Sequence, residues 1–426
     1  MEKTAARQIQ KHGGEPAPAL PTNLKIQNRK MVLSCFRDNQ PHSVADVVAR
    51  TGISKLTVMK AIQFFCGKGI LASSGKGDST ELGGKKPEYF QFSCGKYLLT
   101  IRMWPDDLGL TLFDMRMNKI AGTHLAWIIP DTPEEAFQQI AHNAHALLKQ
   151  AGIPQAELLY GVSLSSSGIV DYENLMLKYS VHTPNWRVNV PIGDLLREIF
   201  GPMPVLFEEN AGKSISRAIL NEQEDPDQAI LVLFTSWGLS GALIQDGRIL
   251  NGQNSLVGEI GHMILDQNDQ EICSCGSRGC AERLVSVARV RKMIAGDPPP
   301  ASSPLARLPA EAVELRHLFA ASRQEDAYAR KYVAYMADRF AALLRNVSLV
   351  FSPEKVVFVG DYAVADEYFD QQMRRQLSAF RYLSLSRPME IVYDTRSLTD
   401  LDALGGAAAL IDHYLSRPEL YVEAES

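Results

Sequence analysis

Three of the six cysteines fall within eight residues, Cys273-Ser274-Cys275-Gly276-Ser277-Arg278-Gly279-Cys280, and ten residues separate them from the run Gly258-Glu259-Ile260-Gly261-His262. Three thiols and an imidazole make a complete tetrahedral set for zinc, whose bonds to nitrogen and sulfur run about 2.0–2.3 Å. Gly276 and Gly279 let the backbone bend tightly enough for such closely spaced sulfurs to converge. His262, Cys273, Cys275 and Cys280 would fill every coordination position, so a Zn2+ ion here would be structural. The rival reading of the same residues is a redox thiol pair or chance crowding. Cys35, Cys66 and Cys94 stand singly and read as buried thiols.

Crowded cysteines acquire this meaning in a chain with no export signal, and Met1–Asn23 has no apolar stretch of that kind. No apolar run approaches the ~18 residues of a membrane span, so the expectation is a cytoplasmic protein without membrane insertion. At 426 residues, 46% hydrophobic and 22% charged, the chain is too long for one ordinary domain and too apolar for wholesale disorder.

Charge divides it. Met1 to Phe92 carry 14 Lys and Arg against 7 Asp and Glu, while the remainder carries 30 against 42. A basic head on an acidic body suits a polyanion-binding module joined to something else. Residues 1–23, polar and rich in Pro and Gly, read as a flexible tail. Residues 24–93 read as a winged helix-turn-helix, with apolar spacing that predicts three short helices. Ser43 caps the second, Thr51-Gly52 ends it, and Ser54 caps the third after a short turn. Ser54, Lys55, Thr57 and Lys60 then face outward, where polar and basic side chains reach base edges in a major groove. Gly69–Ala72 and Glu88–Phe92 predict two strands flanking a wing, whose Lys76, Lys85 and Lys86 would meet phosphates of double-stranded operator DNA.

The body reads as two similar α/β units in tandem with a cleft between them. The first comprises residues 94–205 plus 405–426 and the second residues 206–404. Strands are expected at Tyr97–Met103, Leu110–Asp114, Leu159–Leu164, Ala229–Phe234 and Val356–Gly360, and a long helix at Gln324–Val350.

Glu259 to His262, the Cys273–Cys280 cluster and Glu282 together resemble the signature of the ROK family, which unites bacterial sugar kinases and sugar-responsive repressors. The resemblance runs from about Tyr97 to Leu415. It takes in Ser165-Ser166-Ser167-Gly168, Thr183-Pro184-Asn185-Trp186, Pro204 to Asn210, and Gly405-Gly406-Ala407-Ala408 opening the last helix. It implies a two-lobed, actin-like sugar-kinase fold with a zinc loop beside the sugar cleft. The kinase members lack the N-terminal module; the repressor members have it. Asn185, Glu259, His262 and Glu282 occupy positions where family members contact sugar hydroxyls, and Asn210 could bond there too. The residues alone also allow blander roles: Glu259 and Glu282 as helix caps or charge balance, Asn185 as a turn residue.

Phosphoryl transfer needs a carboxylate base and glycine turns whose amides cradle ATP phosphates. Where the family's kinases place an Asn-Asp pair, this chain has Glu209-Asn210, and an amide is no base near neutral pH. Where they show Asp-x-Gly-Gly-Thr, this chain has Arg102-Met103-Trp104-Pro105-Asp106, which puts bulk and an amide-less proline in the way. A second turn, Thr235 to Gly241, places Trp237 and Leu239 among its glycines. The sequence therefore predicts a non-enzymatic regulator, a repressor of sugar uptake or catabolism genes that binds a sugar or sugar derivative and works as a homodimer or homotetramer. The alternatives are a bifunctional sugar kinase with a DNA-binding head, and a regulator controlled by a transport-protein partner.

Overall fold

The computed structural model describes residues 21–37, 40–77, 86–93, 95–153, 159–180, 182–208, 211–223, 225, 227–252, 256–384 and 388–422. They form two compact units. The smaller joins the residues up to Ser93 with those from His413 onward, and the larger is Cys94–Asp412.

The smaller unit contains α1 (Pro21–Ser34), β1 (His42–Ser43), α2 (Val44–Thr51), α3 (Lys55–Gly67), β2 (Leu71–Lys76) and β3 (Glu88–Phe92). A reciprocal cap starts α2: the Ser43 hydroxyl accepts from the Asp46 amide, and the Asp46 carboxylate accepts from the Ser43 amide at 2.8 Å. Gly52, with φ of 68°, ends α2 in the left-handed region that a side chain resists. Two residues later the Ser54 hydroxyl accepts from the Thr57 amide and opens α3. Val47, Val58, Ile62 and Phe65 are buried with Val32, Leu33 and Phe36 of the first helical segment and its end. The strands form a small antiparallel sheet in the order β1-β3-β2.

Residues 413–422 complete this unit, whereas the sequence reading assigns 405–426 to the first lobe. Arg29 lies 3.4 Å above the Phe64 ring and donates to the Tyr421 carbonyl at 2.6 Å. The Lys68 ammonium donates to the carbonyls of Glu419 and Val422 at 2.9 and 2.6 Å. Leu420 and Tyr421 are buried, Tyr421 edge-on to Phe65. Apolar side chains and unpaired helix-end carbonyls both find partners here.

The larger unit repeats one design twice. Its first half runs β4 (Tyr97–Trp104), β5 (Asp107–Asp114), β6 (Lys119–Ala126), α4 (Pro133–Gln150), β7 (Leu159–Ser166), the hairpin β8 (Ile169–Asp171) and β9 (Met176–Tyr179), α5 (Ile192–Phe200) and β10 (Val205–Glu208). After α6 (Ala211–Asn221), the second half runs β11 (Ile230–Thr235), β12 (Leu239–Gln245), β13 (Arg248–Ile249), α7 (Ala281–Val285), α8 (Val287–Gly296), α9 (Leu315–Arg323), α10 (Ala327–Ser348), β14 (Lys355–Gly360), α11 (Glu367–Ala379), α12 (Arg381–Ser384), β15 (Glu390–Asp394) and α13 (Leu398–Ser416).

The sheets are ordered β10-β7-β4-β5-β6 and β13-β12-β11-β14-β15. Each has an antiparallel trio, first strand to second to third, with two parallel strands added beside the first. The central strands β4 and β11 are covered on both faces, which is why they read as nearly unbroken apolar runs. In α10, Tyr332, Val333, Met336, Phe340 and Leu344 are buried at helical spacing. β10 pairs with β7 and so belongs to the first sheet, past the boundary expected at residue 205.

The sequence reading also opens the last helix at Gly405. In fact α13 starts at Leu398 and holds the glycine pair in its interior. A side chain at Gly405 would run into the Ser214 carbonyl, and one at Gly406 into the Ser163 hydroxyl. Close packing thus outweighs the ~1 kcal/mol that each interior glycine costs a helix. Among the described residues no helix is long and apolar enough to cross a membrane.

Candidate functional site

The Gly258–His262 run lies flat on β12. A Cβ at Gly258 would strike the Gly241 carbonyl, and one at Gly261 the Leu239 carbonyl, so both positions admit only hydrogen. The Gly241 amide donates to the Gly258 carbonyl at 2.7 Å. The single helical turn Ile260–His262 then sets the His262 Nε2 3.8 Å from a Glu259 carboxylate oxygen, with Nδ1 turned the opposite way, 3.5 Å from Cys273 Sγ.

The cysteine loop folds back against this turn. Leu265 and Ala281 donate backbone bonds to Gly279 and Met263 at 2.8 and 2.9 Å. Gly276 and Gly279 have φ of 85° and 71°, and a Cβ at Gly279 would collide with the Asp266 carbonyl. Asp269 and Glu271 tie the loop to Arg289 and Lys292 of α8.

Cys275 and Cys280 sulfurs are 3.5 Å apart, and all four donor atoms of His262, Cys273, Cys275 and Cys280 lie within 4.8 Å of one another. Bonds of about 2.0–2.3 Å at tetrahedral angles put neighbouring ligand atoms about 3.5–3.8 Å apart, so the spacing suits a metal ion. Electrostatics agree. A hydrogen bond from the Ser277 amide leads in bringing the Cys275 thiol down to about 7. Burial, followed by the neighbouring thiols, pushes Cys280 up to about 12. Cys275 ionises readily and Cys280 resists, an opposition that a cation between them relieves.

Glu282, two residues after Cys280, caps nothing in its own helix. Its carboxylate accepts from the Leu239 amide at 3.0 Å, and a Cβ at Gly238 would stand 2.6 Å from the same oxygen. Glu259 likewise makes no side-chain cap bond to the turn it precedes. Asn185 lies in the first half, where its amide donates to Asp131 at 2.7 Å. Asn210 lies outside the described residues. The structure thus gathers Glu259, His262 and the cysteines, and brings Glu282 to the adjoining turn.

The altered turns occupy equivalent places, between the first and second strands of each half. Trp104, 4% exposed, packs edge-to-face on Trp237 with ring centroids 4.9 Å apart, and Phe234 and the Arg102 guanidinium are also against it. Arg102 is buried and pairs with Asp107 through Nε at 2.8 Å and through NH2, and also donates to the Thr399 carbonyl. An indole, a proline and an internal ion pair stand where glycine amides would be needed, and the second turn's Leu239 amide is already held by Glu282.

Residues 99–413 match the ROK family. The chain belongs to it. Among ROK relatives, a glucokinase from Thermotoga maritima is 26% identical over 310 residues, spanning 72% of this chain and 95% of its own. The xylose repressor of Bacillus subtilis is 24% identical over 400 residues, spanning 92% of this chain and 97% of its own. A solved ROK family transcriptional regulator, described as a homologue of the E. coli MLC protein, superposes with a TM-score of 0.73 at 19% identity, covering 93% of this chain and 99% of that one. The larger unit therefore has the ROK sugar-kinase-like α/β fold.

The N-terminal unit lies mostly outside the ROK match. On α3, Ser54, Lys55 and Lys60 are exposed and Thr57 half-buried. Lys76 ends β2 exposed and Lys86 is exposed, while Lys85 lies outside the described residues. Sequence reasoning missed Leu56 and Met59, both exposed on the same face of α3. Their positions beside Lys55 and Lys60 were the available signal.

Proposed function

We propose that this ROK chain is a ligand-responsive transcriptional regulator, a repressor of genes for uptake or catabolism of a sugar, with no phosphotransferase activity. The observation that carries this reading is the N-terminal unit: two capped helices joined through left-handed Gly52, the second offering an exposed polar and basic face, followed by a β-hairpin. That arrangement supports a winged helix-turn-helix, with α3 as the recognition helix and the β2–β3 hairpin as the wing. The B. subtilis xylose repressor, alike along nearly its whole length, supports the same reading.

In this reading Glu259, His262 and Glu282, with Asn185 and Asn210, hydrogen-bond the sugar in an actin-like cleft. His262 through Nδ1, with Cys273, Cys275 and Cys280, would hold structural zinc. Zinc, when bound, fixes the loop and the imidazole plane, and His262 Nε2 and Glu259 are then aimed together. Sugar that favours one arrangement of the two halves shifts DNA affinity, and only differential affinity can do so. Pairs of half-sites call for a dimer or tetramer.

The T. maritima glucokinase supports a second reading, a sugar kinase with a DNA-binding head, against which stand the edge-to-face tryptophans Trp104 and Trp237. Mapping the protein's genomic DNA sites and titrating sugars into those complexes tests the main reading. Operator binding at modest salt, released by a sugar of the neighbouring genes' pathway, is expected. Absence of DNA binding, or sugar-dependent ATP turnover at enzymatic rates, overturns it.

A further inference from the structure

Leu56 and Met59 on α3 are 57% and 39% exposed, although Val58, Ala61, Ile62 and Phe65 of the same helix are buried. At about 100° of turn per residue, Leu56 points nearly opposite those four, and the exposed Lys60 and Gln63 lie to either side of it. An apolar side chain thus stands at the centre of the face where a surface helix ordinarily puts its charges.

The small polar side chains of the first turn are engaged elsewhere. The Thr57 and Ser54 hydroxyls lie 2.9 Å apart, and Ser54 also accepts from the Thr57 amide, so both belong to the cap. Leu56 and Met59 therefore share the outward surface of the first turns with Lys55 and Lys60. Those lysines are the only charged residues of α3, which has no Asp or Glu, and Met1 to Phe92 carry twice as many basic as acidic residues. Charge around the apolar strip favours a polyanion, and the opening turns of a recognition helix are the part that meets base edges.

In the major groove the four bases display hydrogen-bond donors and acceptors and a single apolar group, the 5-methyl of thymine. Leu or Met against any other edge strips water from a polar atom and gives nothing back. Against the methyl it removes two apolar surfaces from water together.

We propose that Leu56, with Met59 one turn on, reads thymine: the two side chains pack on thymine 5-methyl groups in each operator half-site, while Lys55 and Lys60 supply the surrounding positive charge. This deepens the DNA-binding reading above and rests on it. Selectivity at those base pairs then comes from an apolar contact instead of a hydrogen bond.

The test begins with full-length protein selecting duplexes from a random pool. The tightest duplex is resynthesised with deoxyuridine for each thymidine in turn, which deletes the methyl and keeps the pairing, and is titrated by fluorescence anisotropy. One or two positions per half-site should each weaken binding about fourfold, the worth of burying one methyl group. The double variant Leu56→Ala, Met59→Ala should bind thymine and uracil duplexes alike, with its salt dependence unchanged as evidence that the unit is folded and its charges still engage. Leu56→Met, which keeps the apolar reach, should retain most of the discrimination. Indifference to every uracil, or discrimination that persists in the double variant, overturns the thymine contact and leaves DNA binding standing. Unaltered DNA affinity of the double variant with a changed sedimentation mass overturns it too and gives the strip to a second protein chain. Failure to enrich any duplex overturns the DNA-binding reading itself.

Discussion

The turn after β4 and the turn after β11 hold the same place in two halves built on the same strand order, yet they have diverged in opposite directions. The first is sealed: Trp104 is buried, Pro105 has no amide, and Arg102 is neutralised by Asp107 within the same hairpin. The second stays open: Gly238 makes room for Glu282, and Trp237 remains half in solvent. Turns at equivalent places in the two halves therefore need not share a fate: one is absorbed into the core, while the other keeps exposed atoms.

The contrast can be broken most forcefully through the cysteine loop, which bears on the open turn alone. Cys280→Ser, or exhaustive chelation, should remove at least about 4 kcal/mol of stability and alter Trp237 emission, because Cys280 begins the helix that presents Glu282. Thermal unfolding with emission spectra measures both, and an unchanged Trp237 environment would separate the turn from the metal. Trp104→Ala should cost about 3–5 kcal/mol as a buried large-to-small change, whereas Trp237→Ala should cost less than about 1 kcal/mol; denaturant midpoints of the two variants decide it. Arg102→Met should lose about 3 kcal/mol by leaving the mostly buried Asp107 carboxylate with only the exposed His124 beside it, and Asp107→Asn in the same background should recover part of it. Smallest for the fold are Lys55→Ala and Lys60→Ala, with stability changes within about 0.5 kcal/mol and a visibly shallower salt dependence of DNA binding.

Features written in short spans were legible beforehand. Ser43, Asp46, Gly52 and Ser54 announce helix ends through local hydrogen bonding, and Cys273 to Cys280 converge because glycines let neighbouring residues fold onto one another. The duplicated strand pattern was legible for the same reason, since each strand carries its own periodicity. Contacts fixed only by distant packing were not. Glu282 reaching the Leu239 amide, Asn185 bonding Asp131, and Trp104 meeting Trp237 all depend on how separate strands and helices lie. Gly405 and Gly406 look like a helix start until Ser214 and Ser163 are seen pressing on them. Residues 413–422 carry no local sign that they pair with α1 and α3.

That last pairing bears on how the protein is made. The Arg29 guanidinium and the Tyr421 carbonyl it grips are 392 positions apart, so the segment that closes over Phe65 leaves the ribosome long after the helices it covers. Until then those helices must wait with Phe65 and the Arg29 guanidinium not yet met by it.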